Sequence, residues 1–580
     1  MDKRCDWYLR AKYGIYMTMS YEGYDRNPLP RRYLDTCGVF SDGRMPTDIN
    51  EIADAFDVQG FADFCHEVGL QYVNFTLYHA HMYMLCPNAA LDRWLPGHTS
   101  RRDVLRELID ALHAYGIRFQ VYIHASVGDT MTDAEREATG YNEPEGRFKR
   151  WNDFINDVFS DLCDRYGSDI DSYYFDMIFD QPFMDMVDIP RLRSLFRTKC
   201  PDSVITGNGE ANDLVDFSSR EDCSIYIESE YDRYSTAVQH VVLLPAHESK
   251  GWWSSVPTDH PSVVKYSPEH LYRTIVLNAG SNTCGGGVAF GFGPYCDSGF
   301  EPGIRETMKG LWELIKPVSE SILDTVPSGS WVTPSAVKIS ELPYGFTAVT
   351  SGSGEYEYIH ILTKPDSDSI VLPKPLDGRR FSTPCLLADG RELELITSED
   401  GYRIVNRLGW DDLDTVIRLK VVDAADNIPS TTAVILPKSL MKFESPDSVE
   451  GCLASNLGLD DPEKYWKTDS GNIHEITISL DGRYNVQGLH ILPVQSNARE
   501  DLEKHIAICS IYLSSDSGET WRAVYTGELK RSTVEKICRF SPMKANAVKL
   551  VCGPDWFLTY EHKTDTAAEI SVELAEAWND

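Results

Sequence analysis

The feature of this sequence that most constrains its fold is an alternation of short β-rich segments with amphipathic helical segments, from residue 13 to residue 325. The segment "YVNFTLY" (72–78) is typical of a strand, and "SRRDVLRELIDALHAYGI" after it has the apolar spacing of a helix. The pattern repeats at "RFQVYIHAS", "SYYFDMIFD", "SVITGNGE", "CSIYIESEY" and "GGGVAFGFGP". So many repeats fit a (β/α)8-like barrel better than an open sheet. No GxGxxG follows the first strand, which argues against dinucleotide binding.

Two residues indicate where predicted helices begin and end. Ser100 opens "SRRDVLRELIDALHAYGI" and is a candidate N-cap, because its hydroxyl can accept a hydrogen bond from a free amide of the first turn. Gly167 follows "FKRWNDFINDVFSDLCDRY" and is a candidate C-cap.

The remaining sequence is β-rich and predicts two further domains. At 580 residues the chain is too long for one hydrophobic core. We therefore expect a multidomain protein: a (β/α)8-like barrel over 1–325, a small β-sandwich over 326–425 and a second all-β sandwich over 440–580. A linker lies near "DAADNIPSTT". In the last domain, "HEITISLDGRYNVQGLHILP" and "ICSIYLSSDSGETWRAVYTG" are both interpreted as hairpins.

Charge and cysteine usage limit the partners and the compartment. The formal net charge of −34 argues against nucleic acids and anionic membranes as partners. The sequence "MDKRCDWYLRAKYG" lacks the apolar stretch of a secretory signal, and no apolar run long enough for a membrane span is present. We expect a cytoplasmic protein, or a secreted one whose signal is absent from this chain. The scattered cysteines (Cys65, Cys163 and Cys509 among them) are expected to be reduced core thiols.

Candidate site residues follow from the barrel, because reactive groups lie where barrel strands end. That rule selects His79, His124, Asp176, Glu210, Glu228 and Glu230. Several carboxylates with a few histidines, and no phosphate-binding loop, are typical of glycosidases. In these enzymes one carboxylate attacks the anomeric carbon and a second protonates the leaving oxygen. Glu228 and Glu230 are two residues apart and would share a face of a strand.

Each candidate also has a structural alternative. Asp176 could be a buried carboxylate that holds loop amides. His79 and His81 are two residues apart, as a pair of metal ligands can be. No carboxylate lies nearby at a suitable spacing, so we expect no metal and no cofactor. Trp252 and Trp253 could stack on a sugar or could pack a long loop. With Tyr78, His79 and His124 they form the predicted substrate-binding set.

Four segments of the first 325 residues resemble the α-L-fucosidases of glycoside hydrolase family 29. They are "WYLRAKYGIYMTMSYEGYD", "QGFADFCHEVGLQYVNFTLYHAH", "SRRDVLRELIDALHAYGIRFQVYIH" and "DSYYFDMIFD". The last is similar to the family segment that contains the catalytic nucleophile, so the resemblance implies that Asp176 has this role. The small sandwich is also similar to the family's second domain, through "EYIHILTKPDSDSIVLPKPLDGRRFSTPCLLADGRELELI" and "WDDLDTVIRLKV".

The sequence departs from the family at two sugar-binding motifs. The family's His-Trp-Gly is Thr18, Met19 and Ser20 here, and only His79 remains of its second His-containing motif. Fucose and a related sugar are therefore both candidate substrates. Family position does not identify the acid/base residue. Glu230 is chosen by its position at a strand end, with Glu228 and Glu221 as alternatives.

Residues 440–580 resemble the F5/8 type C (discoidin) fold of family 32 carbohydrate-binding modules. The resemblance rests on "YWKTDSGNIHEITISLDGRYNVQGLHILP", "IYLSSDSGETWRAV", "ANAVKLV" and "AAEISVEL". It implies a domain that either binds a sugar or acts as a structural spacer.

The expected function is a retaining exo-α-glycosidase acting on an oligosaccharide or glycoconjugate, either an α-L-fucosidase or an enzyme for a related sugar. The alternative is a glycan-binding protein on a catalytically decayed barrel.

Overall fold

The computed structural model describes most of the chain. The described residues are 3–17, 19–21, 38–79, 81–124, 128, 131–176, 186–208, 215–222, 239–243, 264, 266–281, 286–297, 299–301, 303–334, 346–431, 434–459, 461, 463–469, 471, 473–496, 501, 504–506, 508–529, 533–552 and 564–576. They divide into two compact units. The first comprises 1–223, 239–272 and 287–316, and the second comprises 224–238, 273–286 and 317–580.

Eight parallel strands in the first unit close into a barrel in which each strand pairs with the next and β8 pairs with β1. The strands are β1 Tyr13–Met17, β2 Tyr72–Tyr78, β3 Arg118–His124, β4 Ser172–Asp176, β5 Val204–Asn208, β6 Phe217–Asp222, β7 Gln239–Leu243 and β8 Gly287–Gly291. The whole of β2 is buried, as expected for a parallel strand covered on both faces. The predicted barrel is confirmed.

Amphipathic helices connect and cover the barrel strands. They are α1 Asp6–Arg10, α2 Ile49–Ala55, α3 Val58–Glu67, α4 Ala89–Trp94, α5 Val104–Ala114, α6 Asp133–Thr139, α7 Lys149–Tyr166, α8 Ile189–Lys199, α9 Pro268–Ser281 and α10 Ile304–Ile315. Short 3-10 helices span Lys3–Cys5, Pro144–Gly146, Gly167–Asp169, Lys316–Ser321, Lys438–Leu440 and Ala454–Gly458. None of the helices in the described part of the chain is long and apolar enough to cross a membrane.

One of the two predicted helix ends is confirmed and the other is wrong. Gly167 is the C-cap of α7, with a positive φ of 54° that glycine adopts without a steric penalty. The N-cap of α5 is Asp103 and not Ser100, because the Asp103 carboxylate accepts the hydrogen bond from the Arg106 amide. The Ser100 hydroxyl instead donates to the carbonyl of Arg102, in the loop before α5.

Aromatic side chains fill the middle of the barrel. The rings of Tyr16, Tyr122 and Tyr174 pack against one another with centroids 5.3 to 5.7 Å apart. Ala289 from β8 belongs to the same buried cluster. Because β1, β3, β4 and β8 contribute to one cluster, these side chains point into the barrel. Residues two positions further along β3 and β4 therefore face its C-terminal end.

The second unit begins with the small sandwich. Its strands are β9 Thr325–Pro327, β10 Phe346–Ser351, β11 Tyr356–Ile361, β12 Ser369–Pro373, β13 Arg380–Phe381, β14 Cys385–Leu386, β15 Glu394–Ser398, β16 Gly401–Val405 and β17 Thr415–Asp423. One sheet has the order β13-β17-β11-β10-β9 with β14 beside β17, and the other has the order β12-β16-β15. Trp331, Ile359, Ile404 and Ile417 belong to the core between them.

The last region of the second unit is the second β-rich domain. Its strands are β18 Val434–Ile435, β19 Met441–Glu444, β20 Trp466–Lys467, β21 His474–Leu492, β22 Ile508–Ser514, β23 Arg522–Glu528, β24 Lys536–Cys552, β25 Thr566–Ala567 and β26 Glu569–Leu574. The main sheet has the order β18-β26-β21-β24-β22-β23, with β19 beside β21, and β20 pairs with β25. The two predicted β-rich regions are confirmed.

One of the two hairpins predicted in this domain is wrong. The segment "HEITISLDGRYNVQGLHILP" contains a single strand, β21, which pairs with β24 on both sides of its "DGR" sequence. The register with β24 shifts between Ser479 and Tyr484, so the irregular residues form a bulge rather than a reversal of the chain. The other segment does form an antiparallel hairpin, β22 with β23.

The cysteines among the described residues are all free, and most are buried. Cys65, Cys163 and Cys509 lie in the interior, so the prediction of reduced core thiols is confirmed for them. Burial raises the pKa of the Cys65 thiol well above its usual range, which keeps it protonated and unreactive.

Candidate active site

The predicted site residues lie where consecutive barrel strands end. Asp176 is the last residue of β4, and its Cα pairs in register with that of His124, the last residue of β3. Asn208 ends β5, and His79 directly follows β2. Because the strands are parallel, these four side chains start from the same end of the barrel. This is the end at which the loops of such barrels form binding sites.

The Asp176 carboxylate is almost completely buried but has a hydrogen-bond donor on each oxygen. Its exposed fraction is 8%. The hydroxyl of Tyr122 donates to Oδ2 at 2.5 Å, and Nδ2 of Asn208 donates to Oδ1 at 2.9 Å. Hydrogen bonds to an ionised carboxylate are short and strong, and they offset the cost of its burial. The two neighbouring strands thus fix the orientation of the Asp176 carboxylate.

The two predicted histidines lie together at the same end of the barrel as this carboxylate. The ring centroids of His79 and His124 are 4.5 Å apart, with an angle of 59° between the ring planes. The His79 ring is also nearly parallel to that of Tyr122, at 6.1 Å. Tyr122 therefore donates to the carboxylate through its hydroxyl and faces His79 with its ring. A group of N–H and O–H donors around a carboxylate suits a polyhydroxylated ligand.

The structure locates two more predicted residues, Tyr78 and Glu221, and five others lie outside the described part of the chain. Tyr78 is buried in β2, and burial raises the pKa of its phenol well above the usual range. Its role in substrate binding stays a prediction. Glu221 lies in β6, two residues after Ser219, whose Cα pairs with that of Asn208. The other predicted residues, Glu210, Glu228, Glu230, Trp252 and Trp253, lie outside the described residues.

Sequence reasoning missed two residues of this site, Tyr122 and Asn208. Each precedes a predicted residue by two positions: Tyr122 precedes His124, and Asn208 precedes Glu210. The period of two in a strand places such pairs on one face, and this signal could have found both. Within the described part of the chain, no group of three His, Cys, Asp or Glu side chains could hold a metal ion.

Two family models match the sequence. Residues 49–260 match the α-L-fucosidase model, and residues 443–561 match the F5/8 type C domain model. No curated protein sequence matches the chain significantly. The first match includes β2 to β7 and therefore all the site residues described above.

Solved fucosidase structures share the fold. An α-L-fucosidase of family GH29 from Bacteroides thetaiotaomicron is 16% identical with a TM-score of 0.54, covering 73% of this chain and 97% of that one. α-L-Fucosidase isoenzyme 1 from Paenibacillus thiaminolyticus is 19% identical with a TM-score of 0.50, covering 73% and 99%. A bacterial fucosidase with an iminocyclitol inhibitor is 17% identical with a TM-score of 0.52, covering 73% and 97%. At these identities the likeness concerns the fold.

The family models confirm the two resemblances that the sequence motifs indicated. The prediction of a glycoside hydrolase domain is confirmed by the model that covers the barrel strands. The prediction of a discoidin-like domain is confirmed at the C-terminal region. The chain therefore carries a glycoside hydrolase domain that is similar to the α-L-fucosidases, followed by a region that matches the F5/8 type C domain.

Proposed function

We propose that this protein is a retaining exo-α-glycosidase that releases a terminal α-L-fucose, or a closely related sugar, from an oligosaccharide or glycoconjugate. The observation that carries the proposal is the Asp176 carboxylate at the C-terminal end of the barrel. Both of its oxygens accept hydrogen bonds, and His79 and His124 lie together at the same end of the barrel. A carboxylate held in one orientation at this end of a barrel can act as a nucleophile.

In this mechanism an Asp176 oxygen attacks the anomeric carbon and the glycosidic bond breaks. A general acid gives its proton to the leaving oxygen, and a covalent glycosyl–Asp176 ester forms. The same acid, now a base, takes a proton from water, which attacks the anomeric carbon and releases the sugar with its original configuration. Glu230 is the proposed acid/base, with Glu228 and Glu221 as alternatives. Its carboxyl should lie roughly 5–5.5 Å from that of Asp176.

The comparison with a solved relative supports the covalent step. The Bacteroides thetaiotaomicron fucosidase was trapped as a covalent intermediate with 2-fluoro-fucosyl fluoride, in a variant with one glutamate changed to glutamine. In our proposal His79 and His124 bind hydroxyl groups of the sugar, and Trp252 and Trp253 stack on it. Because Thr18 and Met19 replace residues of a sugar-binding motif of the family, we include related sugars among the proposed substrates.

The first test compares two buried aspartates, Asp171 directly before β4 and Asp176 at its end. Asp176→Asn removes the attacking charge with little change of shape, so turnover should fall by roughly 1000-fold or more while the thermal midpoint stays close to wild type. Asp171→Asn is the matched control. Its carboxylate pairs with His113 and Arg118 at 2.7 Å each, and its loss should lower stability and spare kcat. Near-normal turnover by purified Asp176→Asn would exclude it as the nucleophile.

The second test identifies the acid/base. Glu230→Ala should slow the cleavage of glycosides with poor leaving groups far more than that of activated aryl glycosides, which need little protonation. Azide should partly restore turnover of the activated substrate and give a glycosyl azide with the substrate's own anomeric configuration. If Glu228→Ala or Glu221→Ala behaves in this way instead, that residue is the acid/base and the mechanism stands.

The alternative function is glycan binding without turnover, which the departures from the family's sugar-binding motifs favour. A panel of terminal α-fucosides and other α-glycosides separates the two functions. Release of a sugar that Asp176→Asn abolishes supports the glycosidase. Binding of the same glycans with no release from any of them supports the binding protein.

A further inference from the structure

His98 lies between the loop that follows His79 and helix α6, which follows β3. Its Nδ1 is 3.1 Å from the carbonyl oxygen of His81, in the loop after β2. Its Nε2 is 3.3 Å from Oε1 of Glu135, in helix α6, which follows β3. Only 3% of the His98 side chain is exposed. One buried imidazole therefore joins the connections that leave the two strands carrying the site histidines.

Both ring nitrogens of His98 have a partner. A backbone carbonyl can only accept a hydrogen bond, so Nδ1 donates to His81. Burial of Glu135 raises its pKa, but hydrogen bonds from His98 and from the Thr132 amide outweigh this and hold the pKa at about 2. His98 is thus a buried imidazole held between a backbone carbonyl and the carboxyl group of Glu135.

The loop that His98 holds contains a strained residue. Met82 has a φ of 57°, in the left-handed region that side chains other than glycine rarely adopt. The His98 ring stacks on Tyr83, the next residue, with centroids 4.1 Å apart and planes 4° apart. The Met84 amide also donates to the His98 carbonyl at 2.9 Å. Contacts of His98 thus fix residues 81, 83 and 84, directly after His79.

We propose that His98 is a positioning residue for the sugar-binding end of the barrel: its imidazole fastens the loop after His79 to helix α6 and so keeps His79 against His124. This inference rests on the proposed function of that site. Glutamine does not place polar atoms at the positions of both ring nitrogens, so the substitution should release the strained loop and move His79.

The test is a double-mutant cycle between His98→Gln and His79→Ala. If His98 acts through His79, His98→Gln should raise KM about tenfold with a smaller change in kcat, because it misplaces one group that binds the sugar. In the background of His79→Ala, the same change should then have little further effect. Full additivity of the two substitutions, or a His98→Gln enzyme with an unchanged KM, would overturn the proposal.

The matched control is His360 in the small sandwich, which is held in the same manner. Its Nδ1 is 2.6 Å from Oδ2 of Asp414, and its Nε2 is 3.1 Å from the carbonyl oxygen of Ser321. His360→Gln should lower the thermal midpoint and leave KM and kcat within about twofold of wild type, because it removes a buried pair outside the barrel. If both variants change KM equally, the effect of His98 is general destabilisation and the proposal fails.

A readout without turnover keeps this proposal separate from the function itself. In 15N-histidine NMR of the full chain, the signals lost in His98→Gln should include a ring Nδ1–H that is held in a hydrogen bond and exchanges slowly with water. The affinity for a fucose-like iminocyclitol should follow the same non-additive cycle. If no substrate is cleaved but these two results hold, the glycosidase proposal fails and the positioning role stands. A His98 ring without a hydrogen-bonded Nδ1–H would overturn the positioning role alone.

Discussion

Asp176 shows how neighbouring residues can make a buried charge tolerable. A carboxylate with 8% exposure would cost several kcal/mol if it had no partners. Tyr122 and Asn208 each donate to one of its oxygens from an adjacent strand. Both donors are neutral groups that hold the carboxylate in one orientation. This arrangement suits a nucleophile, which must be oriented and must keep its charge.

Tyr122→Phe should impair catalysis without unfolding the barrel. It removes a hydrogen bond to a charged group, which is worth about 1.5–3 kcal/mol, and kcat/KM should fall by roughly tenfold to a hundredfold. Steady-state kinetics and thermal unfolding measure the two effects. Tyr173→Phe is the control, because Tyr173 is a buried neighbour in β4 whose hydroxyl donates to the Gly167 carbonyl. Equal losses of kcat/KM in both variants would contradict a specific role for Tyr122.

At the scale of the elements, the residue that caps helix α5 also accepts a hydrogen bond from helix α7. The Asp103 carboxylate accepts from the Arg106 amide at 3.0 Å and from the Tyr166 hydroxyl of α7 at 2.7 Å. Asp103→Ala should lower the free energy of unfolding by about 1–3 kcal/mol, the sum of a lost cap and a lost hydrogen bond. Asp103→Asn can still cap and should cost less than half as much. Denaturant unfolding distinguishes the two, and equal effects would exclude the cap as the cause.

Strand β11 contains a fully buried carboxyl group that should make stability depend on pH. Burial raises the pKa of Glu357 to about 7, and the nearby charge of Asp377 also raises it. Hydrogen bonds from Ser328 and Thr350 and the charge of Arg379 lower this pKa, but by less. Because the folded pKa lies above the unfolded value of 4.5, this stabilising contribution is complete below pH 4.5 and is lost as pH rises towards 7. The loss corresponds to roughly 3 kcal/mol.

Glu357→Gln tests this expectation, because glutamine keeps the shape and does not titrate. Thermal midpoints between pH 4.5 and pH 8 should fall with pH more steeply in wild type than in the variant. Parallel curves would show that Glu357 does not titrate in this range.

At the scale of the whole molecule, the two sandwich domains of the second unit share packing. Leu376 of the small sandwich belongs to the buried cluster of the F5/8 type C domain, and Val332 packs against that cluster. Asn427 in the linker donates to the carbonyls of Leu376 and Pro542, at 2.6 and 3.0 Å. The Arg522 guanidinium also donates to the Lys374 carbonyl. These contacts join the domains through side chains as well as through the linker.

Deleting residues 440–580 should therefore leave a folded but less stable hydrolase. Each sandwich has its own core, so the fragment 1–439 should fold and cleave a small aryl glycoside at close to the full rate. Exposure of Leu376 should lower its unfolding free energy by about 1.5–3 kcal/mol relative to the full chain. Solubility, activity and denaturant unfolding are the measurements. An unfolded fragment would show that the F5/8 type C domain is part of the structural core.

The sequence by itself determined the order and type of the elements. Strand β2 covers 72–78 as predicted, and α7 ends at Gly167, because apolar periodicity and a glycine cap are local signals. The motif around Asp176 identified the glycoside hydrolase domain for the same reason. Local patterns were less reliable where a segment can form either a turn or part of a continuous strand. The "DGR" sequence in β21 is typical of a turn, but pairing with β24 on both sides keeps it in one strand.

Only the tertiary structure decided which side chains meet. Tyr122 and Asn208 are 54 and 32 residues from Asp176 in the sequence, and barrel closure and strand register bring them to its two oxygens. Asp103 rather than Ser100 caps α5, where its carboxylate also accepts from Tyr166 of another helix. His98 contacts Glu135 of helix α6, which is 37 residues away in the sequence. Sequence periodicity assigns a residue to a face, but the partner across that face depends on register and packing between distant segments, which no local pattern encodes.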